Sequence, residues 1–162
     1  HGVFLFSTGG KQLPSVRIGA TAENSIFLDR VEFAVGGERQ VYKTLNSDKD
    51  IYLEPTQTLR VTLYWRALNK PIGNRTVSVR IIDETGWISA QQDSTPSNGR
   101  RSTIVWEPGW YFRDVYYLTI PEGTAIGNKD LSLRLYDSTT RERVPFDLGD
   151  DLSFGQVTIH TP

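Results

Sequence analysis

The stretch Thr58–Ala67, TLRVTLYWRA, alternates between apolar and polar side chains at almost every step. Its apolar positions are Leu59, Val61, Leu63 and Trp65, and the positions between them are Arg60, Thr62, Tyr64 and Arg66. Successive side chains of a β-strand point to opposite faces of a sheet, so this period of two predicts a strand that is buried on one face only. Helical three-four spacing is hard to find in the chain.

The same alternation recurs along the sequence. Clear examples are residues 26–35, 75–83, 111–120, 129–137 and 152–160, and weaker ones are residues 15–20, 38–44, 87–92 and 102–106. Clusters of Gly, Pro, Asn, Asp and Ser separate these segments, as turn residues do. About ten short strands without helices predict an all-β fold, an antiparallel β-sandwich of the immunoglobulin or fibronectin-like kind. A closed barrel is the alternative.

Composition narrows the function classes. The 162 residues suit one domain, and the 18 Lys and Arg residues nearly balance the 19 Asp and Glu residues, so we expect no nucleic-acid binding. Cysteine is absent, which excludes thiolate metal sites, thiol catalysis and disulfides. Methionine is absent too, so we expect a processed or excised piece of a longer chain. A removed secretory signal or membrane anchor would place it at the cell surface or outside the cell.

The chain divides into an amino-terminal arm, residues 1–14, and a sandwich domain, residues 15–162. The arm contains four consecutive apolar residues: Val3, Phe4, Leu5 and Phe6. A strand that is apolar on both faces needs cover on both sides. Two interpretations stay open: the arm is the first strand of its own sandwich, or it is a donor strand inserted into a neighbouring copy. The second interpretation predicts a non-catalytic structural or adhesive module that assembles with other copies of itself, as in a filament.

Three stretches carry a family resemblance: LRVTLYWRA at 59–67, TIVWEPGWYFRDVYYLTIPEG at 103–123 and LSLRLYDSTTRERVPF at 131–146. In this order they resemble the β-sandwich domain at the carboxy-terminal end of many bacterial membrane glycosyltransferases and related surface proteins. The resemblance covers residues 26–159, and its motifs are structural. It implies a non-catalytic extracytoplasmic module, accessory or structural, and transfers no active-site residue. Trp110 departs from the pattern, which usually has an acidic residue there.

The added tryptophan suggests a carbohydrate-binding module as the alternative function. Flat exposed aromatic rings stack on sugars, and Trp110 and Tyr111 are the ligand-binding candidates because they follow Pro108-Gly109 in a turn. Burial at an interface would suit Trp110 equally well. Trp106, by contrast, is expected to plug one end of the sandwich.

The histidines and the clusters of acidic residues give weaker evidence for a functional site. His1 and His160 are the two histidines, and a copper site would need the amino terminus and both imidazoles, so we expect no metal. Acidic residues cluster in two loops, Asn46, Asp48, Asp50 and Glu54 in the first and Asp147, Asp150 and Asp151 in the second. The first lacks the glycine and glutamate of a calcium loop, and both are interpreted as solvated turns. No carboxylate pair, serine elbow or phosphate-binding glycine loop stands out, so we expect neither catalytic residues nor a cofactor.

Overall fold

The computed structural model describes residues 15–37, 42–44 and 50–162. These residues form eleven β-strands: β1 (Val16–Ala22), β2 (Ile26–Gly36), β3 (Tyr42–Thr44), β4 (Ile51–Leu53), β5 (Thr58–Ala67), β6 (Arg75–Ile82), β7 (Ile88–Ser94), β8 (Tyr111–Thr119), β9 (Gly127–Asp137), β10 (Arg143–Val144) and β11 (Leu152–Ile159). The arm, with His1 and Val3 to Phe6, lies outside the described residues. Within the described part of the chain, no helix has the length and apolarity needed to cross a membrane.

The strands form two sheets packed face to face. Sheet A has the order β1-β2-β5-β8, and β3 pairs with the end of β2. Sheet B has the order β4-β11-β9-β6-β7, and β10 pairs with the end of β9. The predicted all-β sandwich is confirmed. Pairing among the described strands is antiparallel except at one edge, where β4 runs parallel to β11 with Val157 opposite Ile51. Side-chain alternation shows which face is buried and carries no information about the direction of a neighbouring strand.

The core lies between the two sheets. The four apolar positions of β5, Leu59, Val61, Leu63 and Trp65, are fully buried, as their alternation predicts. Sheet B faces them with Val77, Val79 and Ile81 of β6 and Leu131, Leu133 and Leu135 of β9. Alternate residues of these two strands therefore point away from the core, onto the outer face of sheet B.

One carboxyl group is buried inside the sandwich. Asp114 of β8 is 2 % exposed and accepts hydrogen bonds from Trp65 Nε1 at 3.1 Å and from the backbone N–H of Ser97 at 2.7 Å. Burial raises the pKa of Asp114 from 3.8 to about 6, against the hydrogen bonds that lower it. Through these two hydrogen bonds, the Asp114 carboxyl connects Ser97, in the loop after β7, to Trp65 in the core.

The alternation of residues 102–106 predicts a strand, and this prediction is wrong. Thr103–Val105 forms a 3₁₀ helix, because the Thr103 hydroxyl donates to the Gly73 carbonyl at 2.7 Å and accepts the Arg75 N–H at 2.8 Å. Trp106 follows it, fully buried, with its ring edge-on to Phe112 at 4.9 Å. The plug expected of Trp106 is confirmed, although a helical turn and not a strand delivers it.

A nearby ion cluster joins three parts of the chain. The Arg75 guanidinium donates to both carboxylate oxygens of Glu23, at 2.6 and 3.0 Å, and to Asp137 at 2.5 Å. Its side chain is 8 % exposed. The cluster links β6 to the β1–β2 turn and to the end of β9.

Candidate binding groove on the outer face of sheet B

An open groove of about 760 Å³ crosses the outer face of sheet B. Its floor comes from alternate residues of three neighbouring strands: Ser78 and Arg80 of β6, Gln91 and Asp93 of β7, and Arg134 and Tyr136 of β9. Ser78 stands opposite Asp93 on one side and Arg134 on the other, so the register of the sheet aligns these side chains in a row. The strands thus place polar groups at fixed positions on a rigid surface.

The first half of the floor is built around Asp93. Its carboxylate accepts hydrogen bonds from Ser78 Oγ at 2.7 Å, Gln91 Nε2 at 2.8 Å and the Tyr136 hydroxyl at 2.9 Å. Burial and the hydrogen bond to Asp93 raise the pKa of Tyr136, so the hydroxyl keeps its proton and remains the donor. This half of the groove holds its polar groups in set orientations.

The second half of the floor contains Arg80 and Arg134, and both contact Asp151, a carboxylate beside the groove and not part of its lining. Arg134 donates to both carboxylate oxygens of Asp151, each at 2.8 Å, and this pairing lowers the pKa of Asp151. Arg80 Nη2 donates to the same carboxylate at 3.2 Å and to Ser132 Oγ at 3.0 Å, while Arg143 Nε lies 3.7 Å away. Three arginines therefore surround one carboxylate.

Arg80 is the most buried member of this cluster. Its side chain is 9 % exposed, and its buried Nε has no hydrogen-bond partner among the described residues. Burial, with the like charge of Arg134 second, lowers the pKa of Arg80. Holding a buried guanidinium next to another one costs free energy, which makes this the most strained electrostatic point of the groove.

The interpretation of the second acidic loop as solvated turns is wrong for Asp151, because arginines from neighbouring strands reach its carboxylate. Asp147 and Asp150 are exposed, as that interpretation expects. Asp147 also accepts the Thr21 backbone N–H at 2.9 Å, which anchors the loop to β1, and an oxygen of Asp150 lies 3.4 Å from Arg143. In the first loop, Asn46 and Asp48 lie outside the described residues.

The rim of the groove carries an unusual backbone. Arg141 has a φ of 68°, in the left-handed region that glycine and asparagine adopt most cheaply. The Asp137 carboxylate accepts the N–H groups of Thr139 and Thr140, at 2.9 and 2.8 Å, and so shapes the turn that precedes Arg141. The Arg141 guanidinium lies 5.7 Å from the centre of the Tyr136 ring, directly above the floor.

The aromatic residues singled out in the sequence lie elsewhere. Trp110 is half-buried, packs against the core and has the Arg101 guanidinium 5.7 Å from its ring. Tyr111 lies on the outer face of sheet A, stacks on Tyr64 at 6.3 Å and donates its hydroxyl to Asp29 at 3.0 Å. The two rings face different surroundings and do not form one flat platform.

His160 follows β11. Its Nδ1 lies 2.9 Å from the Thr161 carbonyl, and its ring meets Tyr52 edge-on at 6.1 Å. His1 is outside the described residues, so the copper site has no described geometry. Within the described ranges, no group of three or more His, Cys, Asp or Glu residues is arranged to hold a metal ion.

The sequence pattern does not distinguish the groove residues from ordinary outward-facing residues of a strand. Ser78 and Arg80 alternate with valines in VSVRI, and Ser132, Arg134 and Tyr136 alternate with leucines in LSLRLY. Such alternation predicts exposure, and an exposed polar side chain is unremarkable. The informative signal is that two strands carry arginine at outward positions in the middle of a sheet.

The fold and the groove define a β-sandwich domain with a polar face, and the comparisons agree at the level of the fold. The chain matches 58 chains of solved structures. Among them is the crystal structure of the C-terminal domain of Wzt, with a TM-score of 0.57 and 12 % identity, over 92 % of this chain and 83 % of that chain. No protein-family profile and no curated protein sequence matches the chain. Of the resemblance stated from the sequence, these comparisons support the β-sandwich fold alone and not the link to membrane glycosyltransferases.

Proposed function

We propose that this chain is a non-catalytic saccharide-binding module of the cell surface or extracellular space, and that the groove on sheet B is its binding site. The observation that carries the proposal is the open groove whose floor is made of oriented donors and acceptors on three strands. Sugar hydroxyls need both kinds of partner, and rigid strands hold them without an entropic cost at binding. The β-sandwich of the Wzt domain supports the architecture alone.

The chemistry of Asp93 in the groove floor and of Asp151 beside it supports binding without catalysis. A glycosidase needs a carboxylic acid of raised pKa facing a second carboxylate. Asp93 accepts three hydrogen bonds, and pairing with Arg134 lowers the pKa of Asp151. Both groups are therefore committed to holding neighbouring side chains in place.

A glycan array tests this proposal. The full chain should bind at least one class of glycan, and Arg134→Gln should lose that binding because it removes a partly exposed guanidinium from the groove floor. Arg113→Gln, on the outer face of sheet A, is the matched control and should bind like the wild type. Absence of binding to every glycan, or equal loss in both variants, would refute the groove as a saccharide site. Circular dichroism of each variant checks that it is folded.

Self-assembly through the arm is a second candidate function, favoured by a groove of about 540 Å³ beside β1. Its apolar lining consists of Val16, Ile18, Leu148, Leu152 and Phe154. Leu148 is 65 % exposed there, which leaves apolar surface uncovered at the edge of the sandwich. The occupant that we propose is the Val3 to Phe6 segment of a second copy, which would fill such a groove with alternate side chains.

Deletion of residues 1–10 tests the second candidate. Light scattering of the full chain at high concentration should show assemblies, and the deletion variant should be a folded monomer. A monomeric full chain, or a deletion variant that still assembles, would refute strand exchange. This experiment is independent of the glycan array.

A further inference from the structure

The arginines of the groove outnumber the carboxylates that they contact. Arg80, Arg134 and Arg143 converge on Asp151, and the only other carboxylate at ion-pair distance from them among the described residues is Asp150, 3.4 Å from Arg143. Asp93 acts on Arg80 and Arg134 through space, without an ion-pair contact. That contact is longer than an ordinary charge-assisted hydrogen bond and lies in solvent. One positive charge in this cluster therefore lacks a well-placed counterion.

The charged residues of the groove, counted together, also carry an excess of positive charge. Four arginines line the groove, including Arg141 at its rim, and their carboxylates are Asp93 and Asp150 in the lining and Asp151 beside it. The groove thus has a net charge of plus one, whereas the chain as a whole has a formal net charge of −1. The Asp93 carboxylate is already engaged with Ser78, Gln91 and Tyr136.

Two of the three arginines around Asp151 remain accessible. The side chains of Arg134 and Arg143 are 31 % and 42 % exposed, and both border the open groove. A planar guanidinium presents its donors as a fork that fits two oxygens of a carboxylate, sulfate or phosphate group. Behind them, Arg80 is 9 % exposed and has an unpartnered Nε, so its charge is poorly screened and adds to the potential at the floor.

We infer that the groove selects a saccharide carrying an oxyanion, with that group seated between Arg134 and Arg143 where it competes with Asp150 for the guanidinium donors. This inference rests on the proposed saccharide-binding function and adds the class of saccharide. The shared chemistry is the oxyanion, which a uronate, a sulfated sugar or a phosphorylated sugar can supply.

The experiment compares charged ligands with neutral ones of the same shape. Oligogalacturonate and its methyl ester, together with sulfated, phosphorylated and neutral glycans on an array, are tested against the full chain. We expect acidic glycans to bind at least about tenfold more tightly than their neutral counterparts. The ester isolates the carboxylate, and the sulfated and phosphorylated glycans identify the oxyanion.

Two exposed substitutions test the location. Arg143→Gln should weaken binding of the acidic glycan about tenfold, whereas Arg113→Gln on sheet A should not. Asp150→Asn should strengthen binding about two- to fivefold because it removes the competing carboxylate. Glu107→Gln makes the same change in net charge on an exposed residue paired with Lys70, away from the groove, and should leave binding unchanged.

The outcomes separate this inference from the proposed function. Binding of neutral glycans as tight as that of acidic ones would overturn the inference and leave the saccharide-binding function intact. Binding of no glycan at all would overturn both. Acidic binding that is indifferent to Arg143→Gln, or that Asp150→Asn does not strengthen, would place the oxyanion elsewhere and overturn the inference.

Discussion

The free energy of unfolding should fall as the pH rises from 4 to 7. Replacing Asp114 by asparagine should remove most of this fall. The wild-type carboxyl is buried, and its pKa is raised from 3.8 to about 6 in the folded protein. Between these two values the folded protein holds a proton that the unfolded chain has released. The free energy of unfolding therefore falls with rising pH across this interval.

The size of the effect follows from the shift in pKa. Two pKa units at about 1.4 kcal/mol each amount to about 3 kcal/mol. The opposite trend comes from Asp83, Asp137 and Asp151, whose pKa values are lowered by their hydrogen bonds. Their stabilisation is present above the ordinary value near 3.8 and is lost below it. Only the difference between the wild type and the Asp114→Asn variant isolates the buried carboxyl.

The variant also changes hydrogen bonding at every pH. An asparagine can accept the N–H of Ser97 or the Nε1–H of Trp65, and its own amide then faces the other donor, at a cost of about 1–3 kcal/mol. We expect the variant to be less stable than the wild type at pH 4 and to recover about 3 kcal/mol relative to it by pH 7.5. Urea denaturation at half-unit steps of pH measures both. Parallel profiles for the two proteins would refute the argument that burial raises the pKa of Asp114.

Three further substitutions test the packing of the sandwich, all by urea denaturation at pH 7. Arg75→Ala should lower the free energy of unfolding by about 2–3 kcal/mol because it leaves two partly buried carboxylates without their cation, and Arg75→Met should not restore it if the charge matters. Leu63→Ala should cost about 2–5 kcal/mol through the cavity that it leaves between the sheets, and a cost below 1 kcal/mol would mean that the sheets close over it. Gly36→Ala should displace the Tyr42 ring, since the added Cβ would lie 2.8 Å from two ring carbons. A shift of the Tyr42 ring resonances by NMR checks this, and unchanged resonances would contradict the close approach.

The sequence predicted the strands that make the core and missed those that depend on a neighbour. Alternation gave β5 its observed bounds, Thr58–Ala67, because each side chain there either joins the core or leaves it. β4 and β10 are three and two residues long and exist only through pairing with β11 and β9. The segment 102–106 alternates like a strand, yet the Thr103 hydroxyl bonds fold it into a helical turn. A local pattern contains no information about hydrogen-bond partners that are distant in the sequence, here Gly73 and Arg75.

The groove was harder to predict than the fold. Ser78 and Arg134 are far apart in the sequence and become neighbours only because β6 pairs with β9. The sequence predicts a solvated loop for Asp151, whereas in the fold arginines from three strands, β6, β9 and β10, surround its carboxylate. Trp110 stood out as an aromatic residue beside a glycine, but its turn folds back and packs the ring against the core. Residue type indicated possible ligands, whereas sheet order decided which side chains share a surface.

Arginine is used in two different ways on the two outer faces. On sheet A, Arg30 lies 5.1 Å from the Tyr64 ring and Arg66 lies 5.4 Å from the Tyr111 ring, so the guanidinium groups cover aromatic surface and leave Tyr64 only 4 % exposed. On sheet B, Arg80, Arg134 and Arg143 converge on Asp151 beside an open groove, while Arg141 covers the Tyr136 ring. Replacing such an ion cluster by apolar side chains often leaves stability unchanged or raises it, so a substitution tests whether this cluster stabilises the sandwich.

One variant separates the contribution of this ion cluster to stability from its contribution to binding. Replacing Arg80 and Arg134 by methionine and Asp151 by leucine should leave the free energy of unfolding unchanged or raise it by about 1–4 kcal/mol, because Asp151 is removed together with both arginines that donate hydrogen bonds to it. The same variant should lose binding of acidic glycans. Urea denaturation and the glycan array measure the two properties on one protein. A loss of several kcal/mol would mean that the cluster stabilises the sandwich and that its arginines need no ligand to account for them.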